Sequence, residues 1–299
     1  SDVYKRQEES CLLFNIKMKS EEAPIISVVI ACYNQGIYLS DALNSLEKQT
    51  FQNWEGIIVN DGSTDGTEEI ALEYVKKDER FKYVFQENGG VSKARNIGAA
   101  QALGTYILPL DADDKLEETY IEKALSHFTH HPETLLVYCQ WGFFGEATNH
   151  SQVSYKGYAK LLVNNEIFCS SVFRKSDMLR IGGFDEDMHL GLEDWEFYIR
   201  LLDEQSIVYQ IQEPLFFYRI KAISKNVTAA QNIAEVENYI YQKHIRRYSL
   251  YYGSAILPLR RLFLCEKELE DCKARIARHK NKWYRRLFYK YIKGNLKKK

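Results

Sequence analysis

Short apolar runs rich in β-branched residues alternate with amphipathic stretches through the first half of the chain. Strands are predicted at 26–31 (within IISVVIA), 56–60 (GIIVN), 83–86 (YVFQ) and 105–110 (TYILPL), with helices between them at 37–49, 66–78 and 91–103. Strands that are apolar throughout, rather than at every second position, belong to a parallel sheet covered on both faces. Two polar clusters follow predicted strands: Asn60-Asp61-Gly62-Ser63-Thr64-Asp65-Gly66 and Asp111-Ala112-Asp113-Asp114. Both fall at carboxyl ends of strands, the edge where open α/β sheets bind ligands. From about residue 132 the alternation fades. A strand, a short helix, a Gly-Gly turn and a helix opening near Glu193 are expected there, then one or two strands over 206–219, then helix to the end with a break at Pro258. The expected fold class is α/β: a Rossmann-like mixed, mainly parallel sheet flanked by helices, with a helical C-terminal extension. The expected domains are a leader of 1–23, a main domain of 24–228 with halves meeting near 115, and an extension of 229–299.

Composition changes this picture little. With 299 residues, 45% of them hydrophobic, the chain can bury a large core. Its six cysteines form no CxxC pair and lie mostly in apolar runs, which suits reduced thiols in a cytosolic protein better than a disulfide framework or a zinc site. No stretch approaches the roughly 20 apolar residues of a membrane span, so a soluble or peripheral protein is expected. The opening SDVYKRQEES resembles translated adapter sequence, and Met18 is the expected start. Charge is uneven: Lys273 to Lys299 holds twelve Lys and Arg and no Asp or Glu, although the whole chain sums to −1.

Four clusters can carry chemistry. In LDADD, Asp111 and Asp113 point the same way along a strand end and could share one divalent cation, Mg²⁺ or Mn²⁺. In VNDGSTDGT, Asp61 enters the same crevice. In ENGGVSKARNIG, two glycines permit close backbone approach, and Lys93 and Arg95 at a helix start suit phosphate. In GLEDWEFYIRLL, Glu193 and Asp194 open an amphipathic helix, where a general base could face the cleft with Trp195 as a platform for a sugar ring. Taken singly, each cluster is also what an ordinary turn or helix cap uses.

Taken together, SVVIACYN, VNDGSTDGT, NGGVSKARNIG, YILPLDADD, GGFDE and LEDW resemble, in order and spacing, the inverting glycosyltransferases of family 2. The resemblance runs from about Ile26 to Arg219 and implies the nucleotide-diphospho-sugar transferase fold of type A, with a nucleotide-binding half of about 24–115 and an acceptor half of about 116–228. It implies that Ala31, Cys32, Tyr33 and Asn34 wall the nucleobase pocket and that Asp61 bonds the base. Arg95 and Lys93 would approach the nucleotide or its diphosphate. Asp111 would lie on the ribose side, Asp113 would ligate Mn²⁺ or Mg²⁺, and Asp194 would deprotonate the acceptor hydroxyl, with Glu193 as an acceptor or cap contact. The implied activity is transfer of one sugar from a nucleotide-diphosphate donor, a UDP-sugar as first expectation, to a saccharide or lipid-linked acceptor in surface polysaccharide or glycolipid synthesis.

Two positions depart from the family pattern. Asn60 stands where the first Asp of VDDGS is common, and Lys221 stands where relatives often place a His near the metal. A charged lysine cannot ligate a cation and could instead touch the diphosphate. These departures leave open a catalytically inactive nucleotide-sugar-binding or scaffold protein of the same fold. The turn after the first strand, ACYNQG, lacks the GxGxxG of dinucleotide oxidoreductases, and no GxxxxGK[ST] is present. Finally, Trp283, Tyr284, Leu287, Phe288, Tyr291 and Ile292 form one apolar stripe flanked by Lys and Arg. That pattern predicts peripheral docking on an anionic face of the cell membrane from the cytoplasm, or packing of the C-terminal helices in a homo-oligomer, rather than nucleic-acid binding.

Overall fold

The computed structural model describes residues 23–145, 150–151, 154–221, 232–253, 264–265 and 267–276. The leader to residue 22, Pro258 and the amphipathic stripe from Trp283 onward, with the membrane and oligomer expectations that rest on it, lie outside the described residues. The chain forms two compact units, the first ending at Ile240 and the second starting at Tyr241.

The first unit begins with the predicted alternation: β1 (Ile26–Cys32), α1 (Gly36–Glu47), β2 (Trp54–Asp61), α2 (Thr67–Lys77), β3 (Phe81–Gln86), α3 (Val91–Gln101) and β4 (Tyr106–Asp111). β1 pairs in parallel with β2 and β4, and β2 with β3, so all four strands deliver their carboxyl ends to one edge. Every residue of β2 and all but one of β1 are buried, as strands covered on both faces require. Helix α3 lies very close to this sheet. A Cβ on Gly98 would stand 2.3 Å from Val29 Cγ1, so only glycine lets the helix backbone settle there.

The second half contributes β5 (Lys115–Leu116), α4 (Tyr120–His130), β6 (Thr134–Gly145), β7 (His150–Ser151), α5 (Tyr158–Leu161), β8 (Val172–Arg174), α6 (Lys175–Arg180), α7 (Glu193–Leu201) and β9 (Ile207–Ile220). These strands join the first four in one mixed sheet of order β3-β2-β1-β4-β8-β6-β9-β5, with β7 on β6. Strand β8 runs antiparallel to both β4 and β6 and so joins the two halves. The region expected as one or two strands is the single 14-residue β9, parallel to β6. Its register slips where Cys139 faces Ile211 and the next residue, Gln140, faces Pro214. Proline has no N–H for the ladder, which accounts for the break in the strand pattern.

Helix α8 (Ile233–Lys243) buries Val236 and Ile240, and its Tyr239 hydroxyl donates to Asp185 Oδ2 at 2.8 Å. The division between the two units falls within this helix. In the second unit, α9 (Ile245–Tyr252) buries no residue, and residues 267–276 are helical. Among the described residues, no helix is long and apolar enough to cross a membrane.

Candidate active site

The loops after β1 and β2 are stitched together before any ligand is considered. The Asn34 amide oxygen accepts from Thr64 N at 2.8 Å, and Asn34 N donates to Ser63 Oγ at 3.0 Å, with Asn34 held at a φ of 51°. Tyr33 projects from this loop, 40% exposed, whereas Ala31 lies half-buried within β1. Asn60 accepts from Ser63 N at 2.8 Å and donates to the Tyr83 hydroxyl at 2.9 Å. The departure at this position thus closes the turn with an amide that both accepts and donates.

Asp61 ends β2 and is buried. Its Oδ1 accepts from Gln86 Nε2 at 2.5 Å and Gly89 N at 2.7 Å, and its Oδ2 from Gly90 N at 3.0 Å and Asn88 Nδ2 at 3.4 Å. A carboxylate offers about four acceptor sites, and here all are taken. In this geometry Asp61 builds the Gly89-Gly90 turn that opens α3. Gly62 completes the approach: its φ is 71°, and a Cβ there would meet Asn88 N at 2.7 Å.

Helix α3 then ties the two halves of the first unit together. Asn96 accepts from Phe184 N at 2.7 Å and donates to Phe184 O at 2.9 Å, which pins the GGFDE loop. One position earlier, Arg95 is only 2% exposed. Its guanidinium donates to Glu193 Oε1 at 2.6 Å and to Asp111 Oδ1 at 2.7 Å, with the Phe184 ring 5.2 Å away. Arg95 thus forms an internal strut between the DADD turn and the start of α7. Lys93, by contrast, makes no ion pair among the described residues and is partly exposed.

At the DADD turn each acid already has a partner. Asp111 is held by Arg95. Buried Asp114 accepts from Arg219 N at 2.8 Å, and burial, followed by the charges of Asp113 and Asp111, raises its pKa well above the carboxylate range. Asp113 Oδ2 is ion-paired with the ammonium of Lys221, and the Asp113 carbonyl accepts from Arg219 Nε at 2.7 Å. The end of β9 is thereby fastened to the turn. The resemblance implies a divalent cation here, and the donor set does not fit one. Both carboxylates of the expected pair are bonded to side-chain cations, and a divalent ion beside Lys221 would meet like charge.

At the start of α7 the balance is reversed. Leu192, at the cap position, has a φ of 60°, a strained conformation for a bulky side chain. Asp194 Oδ1 accepts from Trp195 N at 2.7 Å and Asn165 Nδ2 at 3.1 Å, while Oδ2 accepts nothing among the described residues. Burial, then the adjacent Glu193 charge, push the Asp194 acid up to about 7, against a smaller pull from Arg95. Trp195 does not present the exposed face a sugar platform needs: it is 5% exposed and donates from Nε1 to Leu161 O at 2.6 Å.

The structure therefore brings Asp111, Asp113, Arg95, Glu193 and Asp194 into one connected site, beside Asp61 and the Tyr33-Asn34 loop, and places Trp195 in the core. Residues without a sequence signal complete it: Gln86 on Asp61, Asn165 on Asp194, and Gln35 and Arg219 around the DADD turn. Only the polar clusters at strand ends were visible along the chain, because these partners come from unrelated segments. Five buried side-chain atoms lack a hydrogen bond among the described residues, and four of them, on Gln86, Ser92, Arg95 and Asn165, belong to this site or its border. Buried orphans at such density fit a place where a ligand supplies partners.

Known proteins bear on this arrangement. The glycosyl transferase family 2 model matches residues 27–179, half of the chain. The minor teichoic acid biosynthesis protein GgaB of Bacillus subtilis (strain 168) is 32% identical over 206 residues, which is 65% of this chain and 23% of GgaB. Among solved structures, S. aureus TarS 1–349 in complex with UDP-GlcNAc superposes with a TM-score of 0.60 at 20% identity, covering 75% of this chain and 72% of that one. Mannosyltransferase PcManGT from Pyrobaculum calidifontis, in complex with GDP-Man and Mn²⁺, gives 0.59 at 17% identity, covering 76% and 65%. At these identities the likeness shows the fold, that of the type A glycosyltransferases. The chain spans 38, 23 and 61% of the length of three curated Bacillus subtilis relatives. With strands, strand-end acids and matched segment all in register from β1 into α6, the chain belongs to glycosyl transferase family 2.

Proposed function

We propose that the chain is a non-processive, inverting glycosyltransferase that moves one sugar from a nucleotide-diphosphate donor, a UDP-sugar first, to an acceptor hydroxyl in surface polysaccharide or glycolipid synthesis. The observation that carries this reading is the Arg95 guanidinium, which bonds Asp111 from the nucleotide half and Glu193 from the acceptor half and so fixes a strand-end acid against the helix that bears Asp194. In the reaction, the acceptor oxygen attacks the anomeric carbon from the face opposite the diphosphate, and Asp194 takes its proton. An acid poised near 7 with one oxygen unoccupied suits that task. Tyr33 is the proposed nucleobase platform and Lys93 an anion contact, while Asp61 and Arg95 act as positioning residues behind them. The UDP-GlcNAc and GDP-Man complexes of the structural neighbours favour nucleotide sugars as the class to test.

A screen of UDP-, GDP-, CDP- and dTDP-sugars for release of the nucleotide diphosphate, with and without a crude glycan acceptor, tests the reading. Release from one donor, and a product whose anomeric configuration is opposite to the donor's, is the expected result. Binding of a nucleotide sugar with no turnover on any acceptor would favour the inactive scaffold instead.

A further inference from the structure

The DADD turn contains an ion pair that the proposed chemistry has not used. Lys221, the residue after β9, places its ammonium on Asp113 Oδ2. Gln35 Oε1 accepts from the same Nζ at 2.8 Å, and the Tyr38 ring lies 4.6 Å beneath it. Gln35 and Tyr38 come from the loop after β1 and the first turn of α1, so the ammonium is fixed between the nucleotide-side loop and the strand-end acids. It is also shielded, with side-chain exposures of 14% for Lys221 and 20% for Asp113. An ammonium has three N–H donors. Two are occupied, and the third has no acceptor among the described residues.

We propose that the Lys221 ammonium stands in place of a divalent cation at the donor diphosphate, so that this chain binds and uses its donor without metal. The proposal rests on the transferase reading above and goes beyond it by naming the group that neutralises the leaving diphosphate. A lysine is a compact point charge that serves phosphate well, and partial shielding from water strengthens its field. In the transfer step the acceptor oxygen forms its bond to the anomeric carbon as the bond from that carbon to the diphosphate oxygen breaks. The electron pair leaves on the diphosphate, facing Lys221, which keeps its proton; the acceptor's proton goes to Asp194. Charge and atoms balance with no further reagent. Asp113 then serves to hold the ammonium in place rather than to ligate an ion.

The test measures UDP and GDP affinity by calorimetry in chelator and in Mn²⁺, with free Mn²⁺ followed by its paramagnetic resonance signal. Wild-type protein should bind its nucleotide equally in both conditions and lower the Mn²⁺ signal no further than the nucleotide alone does. Lys221→Ala should lose at least tenfold in chelator. Lys221→His, whose imidazole can ligate, should bind well only with Mn²⁺ and should quench the signal. The histidine variant also covers the case in which the alanine variant does not fold. Wild-type affinity that falls tenfold or more in chelator, or a Lys221→Ala protein that binds as wild type there, overturns the proposal while leaving the transferase reading intact. If neither nucleotide binds wild type in either condition, both readings fall.

Discussion

Asp113 and Asp194 are the same side chain in opposite surroundings. Asp113 lies on a turn whose neighbours are cationic: Lys221 bonds its carboxylate and Arg219 bonds its carbonyl. Asp194 receives only neutral donors, Trp195 N and the Asn165 amide, and stands beside the negative Glu193. One acid therefore holds a cation in place, and the other is driven toward accepting a proton near neutrality. The difference teaches that an acid's chemistry here depends on what reaches it from elsewhere in the chain, and that Arg95 keeps the two environments apart by bonding one acid in each region.

The comparison breaks most severely if that strut is removed. Arg95→Met should cost roughly 3–5 kcal/mol in urea unfolding, because it leaves Asp111 and Glu193 without their buried countercharge. Arg95→Lys keeps the charge but loses the planar fork that reaches both carboxylates and should fall between. The next effect is on chemistry alone: Asp194→Asn should lower transfer by about 10² or more while nucleotide affinity by calorimetry stays as in wild type. Unchanged transfer would place the base elsewhere.

The pH profile sharpens the contrast further. Since the Asp194 acid is pushed up to about 7, transfer should climb about tenfold per pH unit on the acid side and level off above 7, and Asp194→Asn should flatten this rise. For stability the same shift has the opposite sign. The folded protein holds this proton more tightly than the unfolded chain, so its contribution is complete below the ordinary carboxylate value and is lost as pH rises through 7. Melting temperatures of wild type and Asp194→Asn, measured from pH 5 to 8, should therefore diverge toward high pH in favour of the variant. The smallest effect expected is at Trp195. Trp195→Phe, which strands Leu161 O, should cost about 1 kcal/mol and leave the acceptor KM unchanged. A large rise in KM would restore the platform role.

Much of the frame was legible along the chain. The apolar runs predicted at 26–31 and 56–60 lie in the buried parallel strands Ile26–Cys32 and Trp54–Asp61, and the helix expected near Glu193 starts there. Strand β9 was less legible because Pro214 interrupts its ladder. The individual roles were harder still. Asp61 looks like a free acid in VNDGS, yet its four acceptor sites are filled by residues 86 to 90. Trp195 looks like a platform in LEDW, yet its indole is capped by Leu161.

What the sequence determined by itself was the alternation of strands and helices and the placing of acids and glycines at strand ends, because periodicity and turn chemistry act between residues only a few positions apart. What only the tertiary structure decided was which acid meets which cation. Arg95 lies 98 positions from Glu193, and Lys221 lies 186 from Gln35. Coulomb energy and desolvation depend on distance and burial in space, so the division between a cation-holding Asp113 and a proton-accepting Asp194 comes into being only when the chain has folded.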